Sequence, residues 1–545
     1  MSTESLYYTS VNAALPHLLS RIAIPINPTS ILLAIISFFL GVAVYRLYFS
    51  PLAAIPGPWF AAVSDLWLNV QIARLEQHRT IQALFERYGP VVRIGPNKVA
   101  FCDVTTARSV YAIHKFDKSN LYKSLLTNDN DHAMTTLPHA EHTIRRKAFA
   151  PHYAASNITL FQSEVHTFAA QLTDTLDRTS GKTSVECLEL FRHFLVDVMS
   201  STVFGFRSGA MEAWTMNVQH PVVNSIHDFP VRGILRSVVP TFLWKSFCRI
   251  PNARLRQICD SDGALAEFVG QRLYDARARL HSGALPSEGL DSEKMPLMQR
   301  LLRHRLVSTG ELVPDHHVIS ECMGHMIAGV DTSSTMLSYL FWELTRRSDI
   351  MVKLQAELDE AMADAKSIPD ISVLNELPYL NAFLKEGLRV YGSAPAFLER
   401  VVPSRTSATV SKADEDFDLM GYALPPGTIV GTQAWSMHRN ADVFPSAETF
   451  LPERWLSVDG SDAEEDRLMS RMSQHLMPFG LGTRVCGGQN LARMMLKVTL
   501  ATTVRNFDVV ANTVETNERT MKIMDAFVSQ PLARECRLSF LARSQ

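Results

Sequence analysis

Phe479-Gly480-Leu481-Gly482-Thr483-Arg484-Val485-Cys486-Gly487-Gly488 places a single thiol inside a glycine-rich loop, two residues after an arginine. Glycines in such a loop let the backbone turn sharply and come close to a bulky partner. The residues that follow, Gln489 to Thr499, have the composition of a helix. A thiol at a helix start faces unpaired N–H groups and the positive end of the helix dipole, and both favour thiolate. A thiolate held there is suited to be an axial ligand that pushes electron density onto haem iron. A lone cysteine in a tight loop is ordinarily a small buried apolar residue. The complete pattern Phe-x-x-Gly-x-Arg-x-Cys-x-Gly sets this one apart. Zinc is disfavoured, because no second Cys or His stands at ligand spacing.

Outward from that loop, the chain of 545 residues is 46% hydrophobic and 20% charged, as expected of a globular protein with a large core. The net charge of −2 suggests no nucleic-acid partner. Seven cysteines, at 102, 187, 248, 259, 322, 486 and 536, are scattered and odd in number. That spacing argues against a disulfide framework and for a reducing compartment. No charged residue occurs from Ile22 to Tyr45, and Ile31 to Tyr45 is almost wholly apolar. As a helix, residues 29–49 span about 30 Å, enough for a bilayer core. Arg46 is expected to snorkel at its edge. A cleaved signal peptide fits poorly, because the segment starts late and lacks a basic flank and a clean small-x-small site. Ser50 to Trp59 then carries three prolines, which break the helix and form a stiff hinge. The organisation expected is an N-terminal segment 1–28, an anchor 29–49, a hinge 50–59 and one catalytic domain 60–545.

Apolar residues at 3.6-residue spacing predict helices over 80–88, 141–150, 160–179, 188–204, 255–280, 315–347, 350–365 and 377–391. Short strands are expected at 91–94 and 98–101 around the turn Gly95-Pro96-Asn97, and at 401–402, 417–420 and 428–432. The fold class is therefore α+β, mostly helical with small β-sheets, in a single body. Helix 315–347 is long enough to cross the whole domain. Midway along it, Ala328-Gly329-Val330-Asp331-Thr332-Ser333 combines a glycine with an acid–alcohol pair. The expectation is a kink or π-bulge there, with Asp331 and Thr332 able to relay protons. Glu386 and Arg389 sit one turn apart among apolar neighbours, which predicts a buried ion pair. Asn157-Ile158-Thr159 fits a glycosylation acceptor, but in a cytosolic body it would never meet the transferase.

The cysteine decapeptide resembles the haem-binding loop of the cytochromes P-450, the haem-thiolate monooxygenases. The Ala328–Ser333 segment, Glu386-x-x-Arg389 and Phe450-Leu451-Pro452-Glu453-Arg454-Trp455 resemble three further motifs of that family, in the expected order. The resemblance covers nearly the whole chain. It implies that Cys486 is the proximal iron ligand of haem b, that Phe479 packs near the sulfur, and that Gly488 lines the cofactor. It further implies that Arg484, Arg400 and Arg146 hold the propionates, with His142 standing where the family often has tryptophan. Asp331 and Thr332 would deliver protons, and Arg454 would lock the Glu386–Arg389 pair. Electrons would come from an NADPH-dependent reductase, since no Gly-x-Gly-x-x-Gly follows a strand here. Arg145, Lys147, Arg493 and Lys497 could form a basic patch for that partner.

Anchor and hinge resemble those of microsomal members, and Tyr45 to Leu52 looks fungal. That implies an endoplasmic reticulum membrane protein with its body in the cytosol. The activity implied is insertion of one oxygen atom from O2 into a hydrophobic small molecule, with a role in fungal terpenoid or polyketide metabolism. Two alternatives stay open: a haem-thiolate isomerase or dehydratase that uses no O2, and a non-enzymatic haem binder. Apolar segments within 110–136, 204–239, 393–398 and 523–528 are candidate pocket walls.

Overall fold

The periodic stretches become helices arranged around one of them, in a computed structural model that describes residues 27–282, 294–306, 309–404, 417–456 and 463–543. The expected N-terminal segment lies outside the described residues as far as residue 26. The principal helices are α1 (Pro28–Val44), α2 (Gln77–Tyr88), α3 (His139–Phe149), α4 (Gln162–Thr179), α5 (Cys187–Phe204), α6 (Pro221–Val238), α7 (Ala253–His281), α8 (Asp315–Arg346), α9 (Ser348–Ala361), α10 (Pro378–Val390) and α11 (Gln489–Asn506). Most match their expected positions within a few residues. Helix α6 is the exception, having been read only as a pocket wall.

Helix α5 shows how local chemistry sets the boundaries. The Glu186 carboxylate accepts from the N–H groups of Leu188 and Glu189, at 3.1 and 2.6 Å, satisfying donors that a helix start leaves free. Gly205, at φ 77°, ends it in the left-handed conformation. Helix α8 is buried along nearly its whole length, and α5 packs against it. No π-bulge interrupts the helix at Gly329: α8 is a continuous α-helix from 315 to 346. Gly329 has another reason to be small. A Cβ placed on it would stand 2.5 Å from Sδ of Met199, so the absent side chain lets α5 and α8 approach.

The largest sheet has the order β1 (Val91–Gly95), β2 (Lys98–Phe101), β8 (Ile429–Gly431), β5 (Arg400–Val401), β3 (Asp117–Lys118). Its register sets Val91 opposite Phe101, Val99 opposite Val430, and Lys118 opposite Arg400. A three-stranded sheet joins β4 (Val185–Glu186), β12 (Arg537–Ala542) and β9 (Phe507–Ala511). Two hairpins pair β6 (Phe417–Leu419) with β7 (Tyr422–Leu424), and β10 (Ile523–Ala526) with β11 (Val528–Pro531).

Helix α1 begins at the side-chain cap of Asn27, which accepts from Ser30 N at 2.8 Å, and runs on as a wider turn to Phe49. None of its residues is buried. Arg46 turns toward the body. Its guanidinium donates to Val63 O at 2.6 Å, and Arg93 in turn donates to the Arg46 carbonyl at 2.8 Å. The proline-rich stretch is likewise no free spacer, because Leu52 and Ile55 are buried in the core beside β1 and β2.

Candidate functional site

The cysteine loop is built by two left-handed glycines and one backbone bond. Gly480 and Gly482 take φ of 78° and 70°, which a side chain would resist. Cys486 N donates to Phe479 O at 2.9 Å, closing the loop. Gly488 is the residue from which α11 starts. Arg146, from α3, donates to Val485 O at 2.7 Å and so clamps the segment that carries the thiol. Burial pushes the Cys486 thiol up, while the Gly488 N–H and the Arg146 charge pull it back toward thiolate.

Two residues are accessible where their surroundings say they should not be. Cys486 is exposed although protein packs round it. Ala328 is exposed while Ile327, Val330 and Asp331 beside it on α8 are buried. Thr332, one turn further on the same face, is half-exposed and donates to Ala328 O at 2.6 Å. The cysteine loop and α8 are bridged at one end by aromatic rings. A Cβ on Gly487 would lie 3.3 Å from the Phe149 ring, and that ring is 4.9 Å from His325, one turn before Ala328. Tyr153 stacks on His325 and meets its Nδ1 at 2.9 Å. Thiol and small-residue stripe therefore border a space inside the body.

Beside that space lies an excess of positive charge. Register puts Lys118 directly opposite Arg400, and both are buried. Like charges directly opposed across strands are unfavourable without a counter-ion. The charges bearing on Lys118 are those of Arg400 and Arg484, which after burial itself push its ammonium well below the usual lysine range. Arg484 donates to Thr136 O and Leu137 O at 2.8 and 2.7 Å, while its buried Nε has no partner. Arg400 donates to Glu399 O at 2.7 Å and to the Tyr122 hydroxyl at 3.4 Å. Burial, then Arg484, holds buried His142 neutral, with a pKa of about 3. Of the nearby acids, Glu399 is taken up by Lys98 and Ser119, and Asp117, exposed on β3, accepts from His139 N at 2.7 Å and acts on Arg484 only through space. Buried cations without an acid are costly. Two carboxylates of a bound group would answer them, so the residues present fit a haem with its propionates.

Sequence reasoning placed Cys486, Phe479, Gly488, Arg484, Arg400, Arg146 and His142 in this region, and all seven surround it or support its loop. It missed Lys118 and Tyr122, whose role comes from strand register and a cation–ring contact of 4.4 Å rather than from a motif. The basic patch fares differently. Arg145 turns inward to Glu321 at 3.3 Å, and Lys497 is buried, donating to Asn375 at 2.6 Å. Only Lys147 and Arg493 stay on the surface. Each of the other two found a partner within reach, which sequence spacing does not reveal. Asp331 is also not free: Arg192 Nε lies 3.2 Å and His227 Nδ1 3.8 Å from its Oδ1.

The Glu386–Arg389 pair is buried as expected, at 2.7 Å. Arg454 Nε reaches Glu386 at 2.9 Å, and the Trp455 indole N–H donates to its other oxygen at 2.9 Å.

Comparison with known proteins agrees with this geometry. The family described as Cytochrome P450 matches residues 56–536. The chain is 30% identical to cytochrome P450 monooxygenase sdnE of Sordaria araneosa, over 86% of this chain and 89% of that protein. It is 25% identical to benzoate 4-monooxygenase bphA of Aspergillus niger, over 92% and 97%. It is also 25% identical to cytochrome P450 monooxygenase stcB of Emericella nidulans, over 91% and 90%.

Proposed function

From the premise that this chain belongs to the cytochrome P450 family, and is a haem-dependent monooxygenase fed by a reductase, we propose which of its residues do the work and on what. Cys486 is the thiolate ligand. Haem b, when bound, supplies the iron at which O2 is activated with electrons from NADPH by way of the reductase, one oxygen atom passing to substrate. Arg484, Arg400 and Lys118 answer the propionates, joined by His142 and by the Arg146 nitrogen not used on the loop. A guanidinium suits a carboxylate through parallel hydrogen bonds. Thr332 passes a proton from its Oγ1, and Asp331 resupplies it. The observation that carries this reading is the accessible thiol of Cys486 together with Ala328, exposed between buried Ile327 and Val330 midway along α8, beside the buried Lys118 and Arg400, which have no carboxylate bonded to them among the described residues.

The division proposed is anchor 29–49, hinge 50–59 and catalytic body 60–545. The helix Pro28–Phe49 is long and apolar enough to cross a membrane. The endoplasmic reticulum is the membrane proposed, with the body in the cytosol. Lipid contact extends beyond the anchor, because Trp59, Leu66, Phe242 and Leu243 expose large apolar side chains on segments next to the packed α6 end.

The substrate class proposed is a hydrophobic terpenoid, polyketide or aromatic compound of fungal secondary metabolism. Relatives whose names include a benzoate 4-monooxygenase support the aromatic option. The test is the membrane-bound enzyme with reductase, NADPH and O2 against terpenoid and aromatic panels. Substrate-dependent O2 uptake with an oxygenated product supports the reading. Turnover that needs neither O2 nor NADPH overturns it.

A further inference from the structure

Asp331 lies on α8 with its carboxylate turned into the core between α5 and α6. Two basic side chains meet its Oδ1: Arg192 of α5, at 3.2 Å, and His227 of α6, at 3.8 Å. They are not equivalent chemically. A guanidinium keeps its proton throughout the working pH range, whereas an imidazole exchanges one near neutrality. Arg192 is nearly buried, while the His227 side chain keeps 16% of its surface accessible. A histidine that served only to fill the core would close its hydrogen bond. His227 Nδ1 has instead no hydrogen-bond partner, and 3.8 Å is beyond bonding distance.

We propose that His227 is the positioning residue that carries protons from solvent to Asp331, and that Arg192 holds the carboxylate aimed to receive them. The step is a proton transfer: the Nδ1–H bond of the imidazolium breaks, an O–H bond forms at Asp331 Oδ1, and ring and acid both become neutral. The ring is left as its Nε2–H tautomer, and when the contact opens water returns a proton to the bare Nδ1. The inference rests on the monooxygenase reading, in which Asp331 resupplies Thr332.

The geometry lets α6 make and break the contact. Pro230 lies within α6 and has no N–H for the Ile226 carbonyl, so the helix can flex just beyond His227. The groups facing His227 are Arg192 on α5, Asp331 on α8 and Asp228 on α6 itself. Asp228 is neutralised by Arg254 of α7 at 2.5 Å. Further along α6, Arg232 pairs with Asp262 of α7 at 3.1 Å, and Arg236 meets Asp129 at 3.5 Å. The carboxyl of Asp525 on β10, which also packs on α6, faces His78 instead. A rigid-body shift of α6 thus moves His227 with α7, while Asp331 stays with α8. Burial and Arg192 lower the His227 pKa, and Asp331 raises it.

The experiment compares the holoenzyme with His227→Gln and Asp331→Asn. Nuclear magnetic resonance of 13C-labelled histidine follows the His227 ring, assigned by its absence in His227→Gln. Its midpoint is expected below the ordinary 6.5 and lower still in Asp331→Asn. With reductase and NADPH, wild-type product formation falls as pH rises through that midpoint. In His227→Gln it is flat with pH and about tenfold or more lower, electrons appearing as peroxide, with haem content unchanged. A midpoint unmoved by Asp331→Asn, or a wild-type pH profile and coupling in His227→Gln, overturns the proposal. Wild-type enzyme that forms no product under these conditions sinks the monooxygenase reading instead, and the resonance titration still decides the His227–Asp331 contact.

Discussion

Cys486 and Thr332 carry the two tests that belong to single residues. Cys486→Ser removes the sulfur while Arg146 and the loop bonds stay, so the protein is expected to fold and yet lose thiolate-ligated haem. The reduced, carbonyl-bound enzyme then lacks its red-shifted Soret band; a band of wild-type intensity would refute the ligand assignment. Thr332→Ala removes a hydroxyl that α8 does not need, since its one bond is to a carbonyl already in the helix ladder. Substrate binding persists and NADPH electrons are diverted to peroxide, with product formation down about 10²–10⁴-fold. Both residues were legible in the sequence because their motifs are local. Lys118, Tyr122, Arg192 and His227 were not, because each gains its meaning from a neighbour distant in the chain, set by strand register or by helices packed side by side.

Helix α10 and the β10–β11 hairpin show what elements add. Glu386 is fully buried and receives Arg389, Arg454, the Trp455 indole and Leu451 N. Burial alone would raise its pKa, and the two arginines outweigh that to lower it. Glu386→Ala leaves two buried guanidinium groups without an acid, at a cost of about 3–5 kcal/mol. Thermal unfolding is expected to move down by several degrees, with haem lost in the same transition; an unchanged midpoint would contradict the structural role.

The hairpin is tied to α2 by an opposite arrangement. Asp525 Oδ2 lies 4.0 Å from His78 with no hydrogen bond, and burial raises the carboxyl pKa to about 7 while holding His78 near 3. The folded state therefore keeps a proton that the unfolded chain gives up near 3.8. The Asp525 contribution to stability is expected to fall as pH rises from about 4 to about 7, by up to about 1.4 kcal/mol per unit, while His78, whose pKa is lowered from 6.5 to about 3, contributes an opposing rise up to about 6.5. Asp525→Asn removes the falling part and leaves the rise from His78, so the difference between variant and wild type isolates Asp525. Melting temperatures from pH 4 to 8 decide it, and parallel curves for variant and wild type would exclude Asp525 as the source. Sequence periodicity found α2, α5, α8 and α10 because one face of each meets the core at regular spacing. It missed β9 to β12, which are short and bury both faces in part, and α6, whose Pro230 and Gly233 disguise a helix.

At the scale of the molecule, anchor and body are one piece. Removing residues 1–49 is expected to leave the body partly on membranes, held by Trp59, Leu66, Phe242 and Leu243. Adding Leu66→Asp and Phe242→Asp should release it in flotation assays. A body freed completely by the truncation alone would show that this face meets no lipid. The Arg46 bond to Val63 and the Arg93 bond to the Arg46 carbonyl carry a further consequence. The helix Pro28–Phe49 has 22 residues, about 33 Å in length, against a hydrocarbon thickness of roughly 27 Å in the thinnest internal membranes. A helix longer than its bilayer tilts. With its C-terminal end bonded to β1, this one would work as a lever arm in a membrane: a change in lipid thickness becomes a rotation of the whole catalytic body, and bilayer composition sets the angle at which the enzyme meets both its dissolved substrates and its electron donor.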